Sequence, residues 1–483
     1  MTKVQFPKAI KNTYKGENMK ILLVLPACGN WRGVGKKKLF NGKTFRFSML
    51  PLLTVAGLTP KKHTVTIVDE QIEDIPFDEK FDLVGINTMT ATANRAYEIS
   101  DYFRNDNVPV VLGGVHASLN PEEAKHYSDA VVIGPAYDAW QRLLKDVESG
   151  NLKKEYQGNP AGTKPIHLPK HLLKRSQYIS LNATYATLGC KNKCSYCTVS
   201  AMYKSCQYHR KVEEVVEELK GFEGKFVLFA DDNLTQDRDY CISLLKAIIP
   251  LKKKWVSQAS LEIADDNELL QVMKDSGCVG LFIGLETFSE ESLKQQNKTV
   301  KSPAHYKKAI KKLHSYGILV ESGIVFGFDS DRKDVFRSTL SMLGEIGVDI
   351  IQASILTPLP GTPLFDAMRE RIVDWNWEHY DFKYAVFNPA NMSREDLKAG
   401  TEWVVKQFYA PQRIIKRFFR WCVMPGSLAS KIYPLFLNIA YLGRVIGFKL
   451  QGYDPSTESD HVFDKLVEMK NSPQHRRMYE EAA

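Results

Sequence analysis

The chain has 483 residues, 44% hydrophobic and 25% charged, with eight cysteines and a formal net charge of +9. This composition excludes collagen-like, disordered and small disulfide-stapled proteins and allows roughly two to four domains. The charge is concentrated: residues 401–450 hold eight basic residues and one acid, Glu402, so this window carries +7 and the rest of the chain +2.

Residues 1–18 form a polar tail without the apolar run of a secretory leader. No stretch reaches the ~18 apolar residues of a membrane span. The expected location is cytoplasmic, with peripheral association on the inner membrane face. Three of the cysteines fall within eight residues and the others are scattered, a pattern that favours a metal site over a disulfide framework.

The first unit covers residues 19–149. KILLVL at 20–25, then Pro26 and Gly29, predicts a buried strand and its loop. The pattern repeats at 64–68, 82–87, 108–112 before Gly113-Gly114, and 130–133 before Gly134, with helical stretches near 48–58, 91–105 and 120–127. Alternating strands and helices predict a doubly wound, Rossmann-like α/β domain. Such sheets bind ligands beyond the carboxyl ends of their strands, here Pro26–Arg32, Asn87–Thr90, Gly113–His116 and Gly134–Pro135.

Residues 150–178 are polar and rich in Pro and Gly and are expected to form a linker. Over 179–390, strands are predicted at 181–188, 225–230, 254–261, 279–285, 318–327 and 349–356. The helices between them fall at 210–220, 238–249, 266–275, 303–316 and 333–346. Six such units make a partial (β/α)6 barrel of the TIM type, with its active-site loops at the strand C-termini. Residues 391–483 form a helical C-terminal region.

The sharpest signal is Cys190-Lys-Asn-Lys-Cys194-Ser-Tyr-Cys197, on the loop after the first barrel strand. Three thiolates at this spacing can hold three irons of a 4Fe–4S cube and leave the fourth open to chelate a substrate. A zinc site completed by Cys206 or His209 stays open as an alternative.

CxxxCxxC after the first strand of a six-unit barrel, with an aromatic residue (Tyr196) before the third cysteine, resembles the radical SAM enzymes. The resemblance extends through the barrel. Asp231-Asp232-Asn233 stands where family members bind the ammonium of S-adenosylmethionine, in the variant typical of the cobalamin-linked branch. Gln258 and Ser260 lie in the third-strand segment that faces this cofactor, and Glu286 follows Gly284 in the fourth-strand motif. Gly323–Gly327 and Thr357–Pro363 resemble the fifth and sixth. Taken singly, either aspartate is as well explained as a helix cap. The resemblance implies a 4Fe–4S cluster on Cys190, Cys194 and Cys197 that cleaves S-adenosylmethionine to a 5′-deoxyadenosyl radical.

A doubly wound domain before such a barrel resembles the cobalamin-binding domain of B12-dependent radical SAM enzymes. The quoted support is Phe47–Pro60, Asp82–Ile86 and Pro109–His116. The implied cobalamin contacts are Thr88, Thr90, Gly113, Gly114, His116 and Gly134. Where the family reads Gly-Glu-Gly-Glu before a Trp, this chain reads Gly134-Pro-Ala-Tyr-Asp-Ala-Trp140, without the two usual acids. No Asp-x-His-x-x-Gly motif supplies a lower axial histidine. A cofactor-free scaffold is the alternative for the whole domain.

In the basic window, Arg413, Lys416, Arg417 and Arg420 are expected on one helical stripe, with Ile414, Ile415, Phe418, Phe419 and Cys422 opposite. This predicts a basic amphipathic helix for an anionic membrane surface; a helix packed on the barrel with its charges in water is the alternative. Nucleic acid is not an expected partner. Radical SAM methylthiotransferases of tRNA carry N-terminal cysteines and a C-terminal β-barrel, whereas here the first domain has Cys28 alone.

The similarity is greatest to the branch with hopanoid-modifying enzymes and the anaerobic magnesium-protoporphyrin cyclase. It implies cobalamin-dependent C-methylation of an unactivated carbon, on a small-molecule or lipid substrate, with electrons from a flavodoxin- or ferredoxin-like donor. A radical cyclase or rearranging enzyme and a non-catalytic Fe–S scaffold are the alternatives.

Overall fold

The computed structural model describes residues 18–27, 44–47, 49–161, 166–296, 302–425 and 428–450. Cys28 and Trp31 of the first ligand-facing loop lie outside them.

The first sheet is built from β1 (Lys20–Leu25), β2 (Thr64–Asp69), β3 (Leu83–Asn87), β4 (Val110–Gly113), β5 (Ala130–Ile133) and β6 (Glu155–Gln157). Its order is β2-β1-β3-β4-β5-β6, all parallel. Helices α1 (Leu50–Leu58), α2 (Ala93–Asn105), α3 (Val115–Leu119), α4 (Pro121–His126) and α5 (Tyr137–Glu148) connect the strands. The central strands read as continuous apolar runs because both of their faces are covered. The direction of winding reverses between β1 and β3, so the ligand crevice of this topology opens beyond Leu25 and Asn87. The expected linker is partly regular. Tyr156, buried and donating to Asp146 Oδ2 at 2.8 Å, holds β6 at the sheet edge. Tyr178–Ser180 pairs in parallel with Thr44–Phe47.

The second sheet runs β7 (Ala183–Thr184), β8 (Phe226–Phe229), β9 (Lys254–Gln258), β10 (Cys278–Glu286), β11 (Leu319–Phe326) and β12 (Ile350–Ile355), each parallel to the next. A short helix, α6 (Thr198–Met202), follows the cysteine loop. The barrel's outer layer is α7 (Val212–Lys220), α8 (Arg238–Ile248), α9 (Asn267–Ser276), α10 (Pro303–Ser315) and α11 (Val335–Ile346). Local chemistry sets their ends: Asp237, Asp266 and Ser302 accept from the backbone of Tyr240, Leu269 and His305, and Gly277 and Gly347 close α9 and α11 in the left-handed conformation. The single strand expected at 181–188 is divided. Only Ala183–Thr184 joins the barrel, while Thr187–Gly189 forms an antiparallel hairpin with Gln207–His209.

Of the expected helical C-terminal region, residues 391–425 and 428–450 are described and are largely helical, with α12 (Arg394–Phe408), α13 (Pro411–Val423) and α14 (Leu428–Leu450); residues 451–483 lie outside the described residues. Among the described residues no helix is long and apolar enough to cross a membrane. The expected sidedness of α13 is corrected. Arg417 is buried, lies 4.0 Å over the ring of Phe408 and donates to Asn438 Oδ1 at 2.7 Å. Arg420 donates to Asp349 Oδ1 at 2.9 Å. Two of the four cations thus turn inward with Ile414 and Trp421, because a buried carboxylate and an aromatic face attract a guanidinium more than the surface does.

Candidate active site

The cysteine loop leaves the barrel through a sharp turn. Gly189 has φ +82, and a Cβ there would strike the carbonyl oxygen of Cys206. Cys190 and Cys194 are buried, Cys197 is half-buried, and none of the three is in a disulfide. Cys197 N donates to Cys194 O at 3.2 Å and Ala201 N to Cys197 O at 3.2 Å, so the third cysteine opens α6. Burial raises the Cys190 thiol, with the neighbouring Cys197 and Asp232 adding to the rise.

The aspartate pair holds this loop. Asp231 is fully buried; its carboxylate accepts from Thr187 N at 2.6 Å, Thr187 Oγ1 at 2.8 Å and Ala186 N at 3.1 Å. These bonds divert the chain from the barrel strand into the hairpin. All of these donors are neutral, so burial prevails and pushes the carboxyl up to about 7. Asp232 accepts from Gly189 N at 2.9 Å through Oδ2, and burial raises it too. Asn233 donates to Ser260 Oγ at 2.8 Å and reaches Cys190. Gln258 stands exposed at the end of β9. Glu286 ends β10 with φ +62, a conformation unusual for a side-chain-bearing residue, at a break in the register with β11. Its Oε2 lies 3.9 Å from where a Cβ on Gly323 would be. Tyr196 bonds to Cys194, sits in the field of Glu286, and packs edge-on against Phe328 at 6.5 Å; burial raises its hydroxyl. Cys190, Cys194, Cys197, Tyr196, Asp232, Asn233, Ser260 and Glu286 therefore gather at one end of the barrel, while Asp231 is spent on the backbone beneath them.

Some of the residues that shape this site carry no signal in the sequence. Gln236 accepts from Lys191 N at 2.6 Å and donates to Asn192 Oδ1 at 3.0 Å. Asp331 accepts from Gly327 N at 2.8 Å and Phe328 N at 3.1 Å. Their partners lie far along the chain or across a turn, and only contact identifies them.

The donor set fits an iron–sulfur cube. Its three soft thiols sit on one loop, and each would hold a different iron. Among the described residues no three Cys, His, Asp or Glu side chains converge on a single ion. Of the zinc alternative, Cys206 is exposed and His209 stacks on Tyr240 at 4.5 Å.

In the first domain the strand ends form a thin polar shelf. Thr88 is buried, donates to Gly113 O at 2.7 Å and accepts from Ala117 N at 3.2 Å. Gly114, at φ +96, leaves no room for a Cβ, which would lie 2.6 Å from Thr88 O. Gly134, at φ +77, has Gly158 O 3.6 Å from where a Cβ would be and donates to Ser118 Oγ at 2.9 Å. A close-packed glycine shelf at the carboxyl ends of β4 and β5, beside the switch of a doubly wound sheet, fits a large planar cofactor. His116 does not offer a free nitrogen: Nε2 pairs with Tyr97 OH at 3.0 Å and Nδ1 with Thr90 Oγ1 at 3.3 Å. Trp140 of the departing motif is a core residue that donates to Thr59 Oγ1 at 2.9 Å.

The two units meet across this shelf. α3 packs on α6, beside the cysteine loop. The segment after β12 returns over the first domain: Trp377 donates to Glu123 Oε1 at 2.8 Å and sets its ring edge on His116 at 5.3 Å, and Asn94 bonds Asn376 at 2.7 Å.

Comparison with known proteins agrees with this architecture. The Radical SAM superfamily model matches residues 184–339, and the B12 binding domain model matches residues 52–144. The chain is 29% identical to bacteriochlorophyllide d C-12(1)-methyltransferase of Chlorobaculum tepidum, over 76% of this chain and 84% of that protein. It is 24% identical to hopanoid C-2 methylase of Rhodopseudomonas palustris, over 76% of this chain and 72% of that one. In fold it resembles the radical S-adenosylmethionine methyltransferase TsrM of Kitasatospora setae, solved with cobalamin and a 4Fe–4S cluster, with a TM-score of 0.59 at 14% identity, covering 89% of this chain and 99% of that one. A B12-binding domain stacked on a radical SAM barrel, with the cysteine loop at their junction, places the chain in the cobalamin-dependent radical SAM enzyme family.

Proposed function

We propose that the protein methylates an unactivated carbon of a hydrophobic, ring-based small molecule, with S-adenosylmethionine as methyl source and cobalamin as carrier. The observation that carries this reading is the packing of α3 on α6, which sets the glycine shelf beside the cysteine loop. A carrier on the shelf and a cluster on the loop would then face one substrate space. When bound, the cluster and cobalamin supply reductive cleavage of S-adenosylmethionine and methyl transfer.

The chain's own residues bind and orient. Cys190, Cys194 and Cys197 hold the cluster. Asp232 has Oδ2 on Gly189 N and would take the ammonium of S-adenosylmethionine with its other oxygen. Asn233, Ser260 and Glu286 complete the polar rim, and Tyr196 packs beside the second cysteine. Thr88, Thr90, Gly113, Gly114 and Gly134 form the cobalamin shelf, with His116 bracing it from below. Water exclusion falls to the segment after β12, which covers the junction through Trp377.

The substrate class rests on the relatives, one named for bacteriochlorophyllide d and one for hopanoids. The electron donor of this reading is a flavodoxin- or ferredoxin-like protein. Anaerobic protein reconstituted with iron, sulfide and cobalamin, given a reductant and methyl-deuterated S-adenosylmethionine, is expected to form 5′-deoxyadenosine and to label a hydrophobic molecule in cell extract. Cleavage without label transfer would favour a radical cyclase. A fully loaded cluster with no cleavage would overturn the enzymatic reading.

A further inference from the structure

The outward face of α13 carries an apolar stripe flanked by exposed polar and basic residues. Its inner face is occupied by Ile414, Arg417 and Trp421, all buried. Directly opposite, at steps of four, stand Ile415, Phe419 and Val423, exposed by 56%, 66% and 83%. On the neighbouring helix α14, Phe436 and Ile439 are exposed as well. Ten large hydrophobic residues are exposed among the described residues, and these five are half of them, within a span of 25 positions. Helix packing does not require them, because the inward face of α13 already has its own apolar and aromatic contacts. Isolated exposed apolar residues are ordinary, but a contiguous stripe marks a binding surface.

The charge around the stripe selects the partner. Lys406, Arg413 and Lys416 are exposed, and Glu402 is the one acid in residues 401–450. A second copy of this face would bring cations against cations. A nucleic acid would use the cations and leave isoleucine, valine and phenylalanine in water. An anionic bilayer takes both, with aliphatic and aromatic side chains below the headgroups and ammonium and guanidinium groups at phosphate level.

We infer that α13 and α14 form a monotopic docking face for an anionic lipid surface, inserted through Ile415, Phe419 and Val423 and steered by Arg413 and Lys416. The face lies at the end of the barrel opposite the cysteine loop, because Arg420 and Trp421 fix α13 to Asp349 at the start of β12. The enzyme would rest on its barrel floor, with the junction of the two domains turned away from the lipid. This inference stands apart from the proposed chemistry, since it uses neither the cysteines nor the glycine shelf.

The test is sedimentation of full-length, anaerobically purified protein with phosphatidylcholine vesicles, with or without phosphatidylglycerol. Wild type is expected to bind the anionic vesicles and to release as salt rises. Ile415→Ser/Phe419→Ser/Val423→Ser, all at exposed sites, is expected to lower binding about a hundredfold while iron content and thermal midpoint stay at wild-type values. Lys416→Gln should lower it about fivefold at low salt. The inference is overturned if wild type fails to bind anionic vesicles, or if the triple variant binds as well as wild type. It is also overturned if wild type is a dimer that the triple variant dissolves, which would assign the stripe to a second copy.

Discussion

Two wholly buried aspartates stand at opposite ends of the barrel and titrate in opposite directions. Asp231, at the top, is surrounded by neutral donors and rises to about 7. At the bottom, Asp349 accepts from His314 Nε2 at 2.8 Å, Val320 N at 2.8 Å, Arg420 Nη2 at 2.9 Å and Trp421 Nε1 at 2.7 Å. Burial alone would raise it too, but the charge and hydrogen bond of His314 and the charge of Arg420 hold it at about 2. The same residue type at the same depth is a fastener among neutral donors in one place and an ionic anchor among cations in the other. The fastener shapes the cysteine loop through backbone hydrogen bonds. The anchor ties the C-terminal helices to the barrel floor.

This contrast can be broken by substitution. Asp349→Ala leaves His314, Arg420 and Trp421 without their acceptor and should cost about 3–5 kcal/mol of unfolding free energy, measured by denaturant titration under anaerobic conditions. A loss below about 1 kcal/mol would remove the anchor role. Asp231→Ala strands the N–H groups of Ala186 and Thr187 and should cost about 2–3 kcal/mol, with a drop in bound iron although the three cysteines are intact. Asparagine separates the two roles. Asp231→Asn keeps an acceptor oxygen and should retain most of the iron, whereas Asp349→Asn loses the charge its partners require and should remain strongly destabilised.

Acid sharpens the same comparison. Asp349 lies below the 3.8 of an ordinary aspartate, so its contribution of about 2 kcal/mol is complete above pH 3.8 and is lost as pH falls toward 2. Asp231 has the opposite sign: its folded form prefers the proton, so its effect on stability becomes more favourable as pH falls from above 7 toward 3.8. Asp349→Asn should flatten the acid limb of the stability profile; an unchanged limb would contradict the assignment. The smallest effect is expected at the domain junction. Trp377→Phe keeps an aromatic ring but removes the bond to Glu123 and part of the buried ring, and about 1 kcal/mol or somewhat more should be lost, seen as faster proteolysis between the domains.

Much of this was legible in the residues. The strand and helix rhythm of both units, the cysteine loop after the first barrel strand, and the glycines at the strand ends follow from local patterning, which the fold kept. Three features were not legible. Asp231 and Asp232 fit a helix cap or a cofactor contact, and only contact with Ala186, Thr187 and Gly189 shows that they hold the loop. His116 follows a Gly-Gly turn among the expected cobalamin contacts, and only the fold shows that Tyr97 and Thr90 occupy both of its nitrogens. The basic stripe of α13 looked outward-facing because charge usually seeks water, but Phe408, Asn438 and Asp349 drew Arg417 and Arg420 inside and left Ile415, Phe419 and Val423 exposed.

The sequence by itself determined the order of the two α/β units and the place of the cysteine loop, because strand–helix rhythm, closely spaced thiols and glycines at strand ends depend on near neighbours and backbone geometry; the class of chemistry came from the family resemblance those motifs carry. Only the tertiary structure decided which polar groups remain open to a cofactor and which way the C-terminal helix faces. Those outcomes depend on partners as far as 26, 45 and 89 residues away, whose competition for each donor and acceptor is settled only once the chain has folded.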